Sequence, residues 1–237
     1  MIISPDKTKA FLAITKTGST TVETLLAQIP GVIVLDNMRV KHGTRLDLAA
    51  ETHRDSRLDG VDPWEITCYG FVRNPLDRWF SACNYLKQFP YALTRLFPEK
   101  FPEGTLPIPI PTDDYKRRLS SSDWNSLLNQ EQRNLIRGLT PEDFLAIPFD
   151  RLGSVMNPLI HWFTHGVEGL RFDDFENETR RIISLFGGDP LVDIPKTNAS
   201  DDFPASVKYQ KTPELYLHIF NRYTADYMIC DNYGIAH

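Results

Sequence analysis

Short apolar runs and helically spaced apolar positions alternate along this chain. Residues 10–14 form an apolar run that ends in a polar, glycine-containing turn, Thr15-Lys16-Thr17-Gly18-Ser19-Thr20, after which Val22, Leu25, Leu26 and Ile29 recur at helical spacing. Strand, turn and helix in that order make the first half of a βαβ unit, and residues 31–35 supply a second strand. A polar helical stretch over about 44–50 leads to a third apolar run, 66–72, which breaks at Arg73-Asn74-Pro75. Past Pro75, a residue suited to a first helical position, Leu76, Phe80 and Cys83 share one face. The pattern predicts an α/β domain with a central, mainly parallel sheet flanked by helices.

Downstream the punctuation changes. Six prolines (Pro90, Pro98, Pro102, Pro107, Pro109, Pro111) mark residues 89–122 as an irregular insertion, which Phe89, Tyr91, Phe97 and Phe101 could dock onto the domain. Helices are expected over 124–137, 141–146 and 155–164, a strand over 170–172 and a helix over 176–186. A closing helix carries Leu215, Ile219, Phe220, Tyr223 and Tyr227 as its apolar stripe. A length of 237 residues with 41% hydrophobic positions allows one substantial core, so residues 1–237 are read as a single domain.

Charge and cysteines narrow the picture. A net charge of -5 and a pI near 5.7 argue against whole-protein attraction to nucleic acid or an anionic membrane. Cys68, Cys83 and Cys230 form neither a CxxC pair nor an array with zinc spacing, so they read as reduced, buried thiols and no metal is expected. No signal segment opens the chain, and no apolar run nears the ~20 residues that span a bilayer, which makes the cytoplasm the expected compartment.

The candidate chemistry sits at the two strand-to-helix junctions. Amides at a helix start lack intrahelical acceptors and carry partial positive charge, so the turn into the first helix is a ready anion site. Lys16 adds a full charge, Ser19, Thr20 and Thr21 add hydroxyls, and Gly18 removes a Cβ from the approach. The plainer alternative is a capped helix beside a solvated lysine. Lys16 precedes Gly18 instead of following a glycine, so the Walker pattern is absent. At the second junction, Arg73 stands at a strand end and Ser81 inside the next helix, a guanidinium fork and a hydroxyl for one anion. Surface ion pairing of Arg73 and Arg78 with carboxylates such as Asp77 is the plainer reading there.

Taken together, Lys16-Thr17-Gly18-Ser19-Thr20 and Val72-Arg73-Asn74-Pro75 through Arg78 and Ser81 resemble the 5′-phosphosulfate loop and the 3′-phosphate motif of the PAPS-dependent, carbohydrate-type sulfotransferases. That group contains the Golgi 2-O- and 4-O-sulfotransferases and soluble bacterial relatives. Weaker landmarks follow in order: Arg171 to Asn177, Asn198-Ala199-Ser200, Tyr223 to Tyr227, and Tyr233-Gly234. The resemblance implies a P-loop-like three-layer fold and 3′-phosphoadenosine 5′-phosphosulfate (PAPS) as co-substrate, with no metal. It implies sulfuryl transfer to a hydroxyl, a carbohydrate or glycoconjugate being the expected acceptor. Lys16 and the loop, Thr17, Gly18, Ser19, Thr20 and Thr21, would hold the 5′ end, and Arg73 with Ser81 the 3′-phosphate. His42, after the second predicted strand, is the expected base; His53 and then Glu51 or Glu23 are its alternates. Lys196, Asn198 and Ser200 would close a loop over the nucleotide.

Other features carry less. Lys116-Arg117-Arg118, with Arg133 and Arg137, could meet an anionic glycan or simply be a solvated helical face. His161, His165, His218 and His237 are assigned no chemistry. Two other classes stay open, a P-loop-like nucleotide kinase and a non-catalytic nucleotide- or anion-binding protein; the assembly state is not legible.

Overall fold

The computed structural model describes residues 1–35, 40–102, 104–106, 127–152, 154–195 and 207–236. The expectations for Lys116 to Arg118, Lys196, Asn198, Ser200 and His237, and for half of the proline-rich insertion, lie outside the described residues. The chain divides into two compact units, Met1–Pro75, Asn157–Lys196 and Arg222–His237 in one, Leu76–Met156 and Thr197–Asn221 in the other.

The first unit holds a five-stranded sheet of order β3-β1-β2-β4-β5, built from β1 (Ile2–Ile3), β2 (Lys9–Phe11), β3 (Ile33–Val34), β4 (Thr67–Val72) and β5 (Val167–Arg171). The sheet is mixed. β2 pairs parallel with β4, and β4 with β5, while β1 is antiparallel to both β2 and β3. One reversed strand therefore sits between strands that share a direction. The expected strand over 31–35 exists as β3, but it pairs with β1 and not with the Lys9–Phe11 strand.

Alternation along each strand sends side chains to two faces. Ile3, Ala10, Cys68, Val72 and Val167 enter one core cluster; Ile2, Phe11, Tyr69, Phe71 and Leu170 enter the other. Helix α1 (Ser19–Leu26) covers the Phe11–Phe71 face through Val22, Leu25 and Leu26. The opposite face takes Leu48 of α2 (Arg45–Glu51), whose start is closed by a capping box between Thr44 and Asp47. Complete burial of a residue such as Phe71 or Leu170 is worth roughly 1.5–3 kcal/mol.

Arg45 fastens the amino ends of β4 and β5. Its Nε donates to Pro63 O (3.2 Å), Nη1 to His165 O (3.0 Å) and Gly166 O (3.2 Å), and Nη2 to Trp64 O and Ile66 O (both 2.6 Å). A rigid fork of N–H donors suits such a task, because one side chain satisfies carbonyls from two loops at once.

The second unit is helical among its described residues: α3 (Pro75–Leu86, entering it at Leu76), α4 (Pro90–Leu96), α5 (Gln130–Arg137), α6 (Pro141–Leu145) and α7 (Phe149–Leu152). The insertion is thus not irregular throughout: Pro90 opens α4 at a first-turn position where its missing N–H costs nothing. Trp79, Leu93, Phe97, Ile136 and Phe144 are buried, and the Trp79 indole donates to Pro141 O at 3.4 Å. Lys87 is buried without any exposure; its Nζ donates to Leu139 O (2.8 Å) and Arg137 O (3.3 Å), where α5 ends, and lies 5.1 Å from the Tyr209 ring centre.

The further α-helices among the described residues are α8 (Ile160–Phe163), α9 (Phe175–Leu185), α10 (Pro213–Arg222) and α11 (Thr224–Asn232). α9 joins α1 on the Phe71 face through Ile182, Ile183 and Phe186, whereas Trp162 of α8 and Ile229 and Cys230 of α11 join α2 on the other. The single helix expected over 155–164 is instead a 3-10 turn, Ser154–Met156, and the four-residue α8, since Pro158 cannot continue a hydrogen-bonded helix. The expected closing helix is likewise two, broken at Tyr223, whose backbone leaves the helical region.

Candidate functional site

Strands β2, β4 and β5 are parallel neighbours, so their carboxyl ends open on one edge of the sheet. After β2 the chain leaves through α1 toward β3 on one side; after β4 it returns at β5 on the other. The crevice between β2 and β4 is therefore the point where the winding reverses, the position at which open α/β sheets bind ligands. The Lys16 turn follows β2, and Arg73 follows β4 directly.

The turn is held in an unusual conformation. Lys16 and Gly18 both lie in the left-handed region, at φ 63 and φ 74, which for a side chain such as lysine costs roughly 1–2 kcal/mol. Thr17 Oγ1 donates to Ile14 O at 2.8 Å, and Arg73 Nη1 donates to Lys16 O at 3.0 Å. The guanidinium thus latches the turn through the carbonyl that the left-handed residue presents. Arg73 also lies over the Phe172 ring, 4.4 Å from its centre, and its own carbonyl accepts from the Cys230 thiol at 3.7 Å.

Helix α1 begins with Gly18 as its N-cap and no side-chain cap. Among the described residues, the amides of Gly18, Ser19 and Thr20 meet no acceptor. A Cβ on Gly18 would lie 2.7 Å from Phe175 Cε2 and 3.1 Å from Phe172 Cε2, so the absence of a side chain makes room for these two rings. Thr17 is buried and its hydroxyl donates within the turn, whereas Thr20 is exposed.

His42 is brought to the same edge. Its Nδ1 lies 2.7 Å from Ala13 O, just beyond β2. A carbonyl only accepts, so Nδ1 carries the hydrogen and Nε2 holds the lone pair that a base needs. Burial pushes the imidazole below its ordinary value, while the bond to Ala13 and the charge of Glu23 act in the opposite sense. From behind, the Trp162 indole donates to the His42 carbonyl at 3.1 Å.

The alternates are placed elsewhere or engaged. His53 is exposed beyond the end of α2, Glu51 is buried and paired with Arg54 at 3.2 Å, and Glu23 accepts from the Met1 amine at 3.3 Å. Ser81 lies on α3 within the second unit, so the first unit by itself brings together Lys16 to Thr21, His42 and Arg73. Phe172 and Phe175, which pack on Arg73 and Gly18, and Trp162, which bonds to the His42 carbonyl, carry no signature that would distinguish them, in sequence, from ordinary core residues. No group of three or more His, Cys, Asp or Glu is arranged to hold a metal among the described residues. None of the described helices is long and apolar enough to cross a membrane. Comparison of the chain with family models, with curated proteins and with solved structures gives no match.

Proposed function

We propose that this chain is a sulfotransferase of P-loop-like fold that moves a sulfuryl group from PAPS to an acceptor hydroxyl, a carbohydrate or glycoconjugate being the acceptor class. One observation carries the reading: at the winding reversal between β2 and β4, Arg73 is hydrogen-bonded to the left-handed Lys16 turn, and the amides of Gly18, Ser19 and Thr20 that follow meet no acceptor among the described residues. Lys16 and these amides suit the anionic 5′ end of a nucleotide, and the Arg73 fork beside them suits its second phosphate. The spacing of Arg73 and Ser81 in the second motif supports the same donor through the resemblance.

PAPS supplies an activated sulfuryl group whose bond to the 5′-phosphate oxygen breaks as the acceptor oxygen attacks sulfur. His42 Nε2 takes the hydroxyl proton, and the Nδ1–Ala13 bond keeps the ring in the tautomer that can do so. Negative charge then grows on the departing phosphate, where Lys16 and the amides of Gly18, Ser19 and Thr20 offset it. Arg73 recognises the 3′-phosphate.

Calorimetry with 3′-phosphoadenosine 5′-phosphate and with its analogue lacking the 3′-phosphate tests the donor. Preference for the former, lost in Arg73→Ala, is expected, together with retained binding and abolished labelled-sulfate transfer in His42→Ala. Equal affinity for the two nucleotides would refute the assignment, and magnesium-dependent ATP turnover would move it to phosphoryl transfer.

A further inference from the structure

A buried indole needs an acceptor for its N–H, and in a core as apolar as the one around Trp162 few are at hand. Trp162 has no exposed surface and belongs to the same core cluster as Leu12, Leu48, Leu159 and Cys68. Its Nε1 reaches the carbonyl of His42, a residue 120 positions away in sequence, at 3.1 Å. The imidazole of that same residue is tied on its other side to Ala13 O at 2.7 Å. His42 is therefore gripped twice, by its backbone from α8 and by its ring from the end of β2. The helix bearing the indole is anchored in turn: the buried Asp226 of α11 accepts from Ile160 N, at the first residue of α8, at 3.3 Å.

We propose that Trp162 is a positioning residue for His42: its indole N–H fixes the His42 backbone so that the ring stays bonded through Nδ1 to Ala13 and keeps Nε2 as the basic nitrogen. The structural part stands on the geometry alone; the consequence for turnover rests on the sulfotransferase reading. Without the indole bond, the segment around His42 keeps the capping box at Thr44 and the Met1 amine on Lys41 O, but loses the hold on the His42 carbonyl itself. The ring then moves against a carbonyl that does not follow, and the tautomer is no longer held. Charged groups that bear on the imidazole are Glu23 of α1, which favours protonation, and Lys41 and the Met1 amine, which oppose it. None of them is altered by a change at position 162.

The experiment replaces Trp162 with benzothienylalanine, a two-ring isostere with sulfur in place of the N–H, and separately makes Trp162→Phe. Nitrogen-15 NMR of labelled histidine, with His42→Gln to assign the signal, reads the His42 tautomer and titration directly. In the native protein Nδ1 is protonated and Nε2 bare at neutral pH; a native Nε2–H tautomer overturns the proposal at once. In the isostere variant the two nitrogens are expected to average and the titration midpoint to rise toward the ordinary imidazole value. An unchanged tautomer and midpoint in the folded variant would overturn it as well. In sulfate transfer, kcat should fall about tenfold or more with affinity for 3′-phosphoadenosine 5′-phosphate unchanged, the pattern of a misplaced base. If native protein transfers no sulfate, the functional reading fails while the NMR result still decides the role of Trp162.

Discussion

Lys87 offers a measurable test of how the second unit is held together. Its ammonium has no exposure and no ion pair among the described residues; it is solvated by two main-chain carbonyls at the end of α5 and the face of Tyr209. Burial lowers its pKa from the ordinary 10.5 to about 8, with Cys83 and Asp143 pulling weakly the other way. Between pH 8 and 10.5 the unfolded chain binds a proton that the folded one has released, so stability rises with pH across that window and is lost as pH falls through 8. The slope approaches 1.4 kcal/mol per pH unit, and the window integrates to about 3 kcal/mol. Cys68 acts oppositely, because burial pushes its thiol from 9.0 to about 11 and favours the unfolded state over that range. The native profile alone therefore blurs above pH 9. Subtracting the profile of Lys87→Met removes the Cys68 contribution, which both proteins share. Urea unfolding at constant ionic strength, from pH 7 to 10.5, should show the native protein gaining on the variant by about 3 kcal/mol. Parallel profiles would mean that the ammonium is not desolvated as its surroundings require.

Arg45→Met should destabilise the first unit by about 3 kcal/mol or more in chemical unfolding, since it strands several carbonyls, and Arg45→Lys should not restore it because one ammonium cannot span both loops. Gly18→Ala should cost about 1–3 kcal/mol in the same assay, from left-handed strain and the 2.7 Å approach to Phe175; Phe175→Ala should relieve only the packing share. Because burial lowers the His42 pKa, its neutral form persists to lower pH than that of a free imidazole, so the NMR titration and, on the proposed sulfotransferase reading, the acid limb of kcat/KM should both fall below 6.5. A midpoint at or above that value would contradict the desolvated setting.

The two junctions were legible because their signals are local: apolar run, polar turn and helical spacing at Lys16, and a strand ending on Arg73-Asn74-Pro75. The ladder of β4 and the start of α3 follow directly from them. β1 was not legible, since two residues carry no periodicity; Ile2 and Ile3 become a strand only because β2 and β3 flank them. The same is true of the breaks at Pro158 and Tyr223, where an apolar stripe continues across an interruption of the backbone. The site divides along similar lines. Lys16, His42 and Arg73 announce themselves by charge and chemistry, whereas the part of Gly18 facing Phe175, and the grip of Trp162 on His42, depend on contacts between residues more than a hundred positions apart.

The chain crosses between its two units four times, after Pro75, Met156, Lys196 and Asn221. Neither unit is consequently a continuous stretch of polypeptide, and Cys68 must wait for Val167 before the β4–β5 ladder can close. A ribosome has to deliver the whole intervening helical segment before that sheet edge is complete, which favours slow, late assembly over sequential folding. Shortened expression products that stop before β5 should accumulate as insoluble material, and swapping the helical unit among homologous chains would require two splice segments, not one.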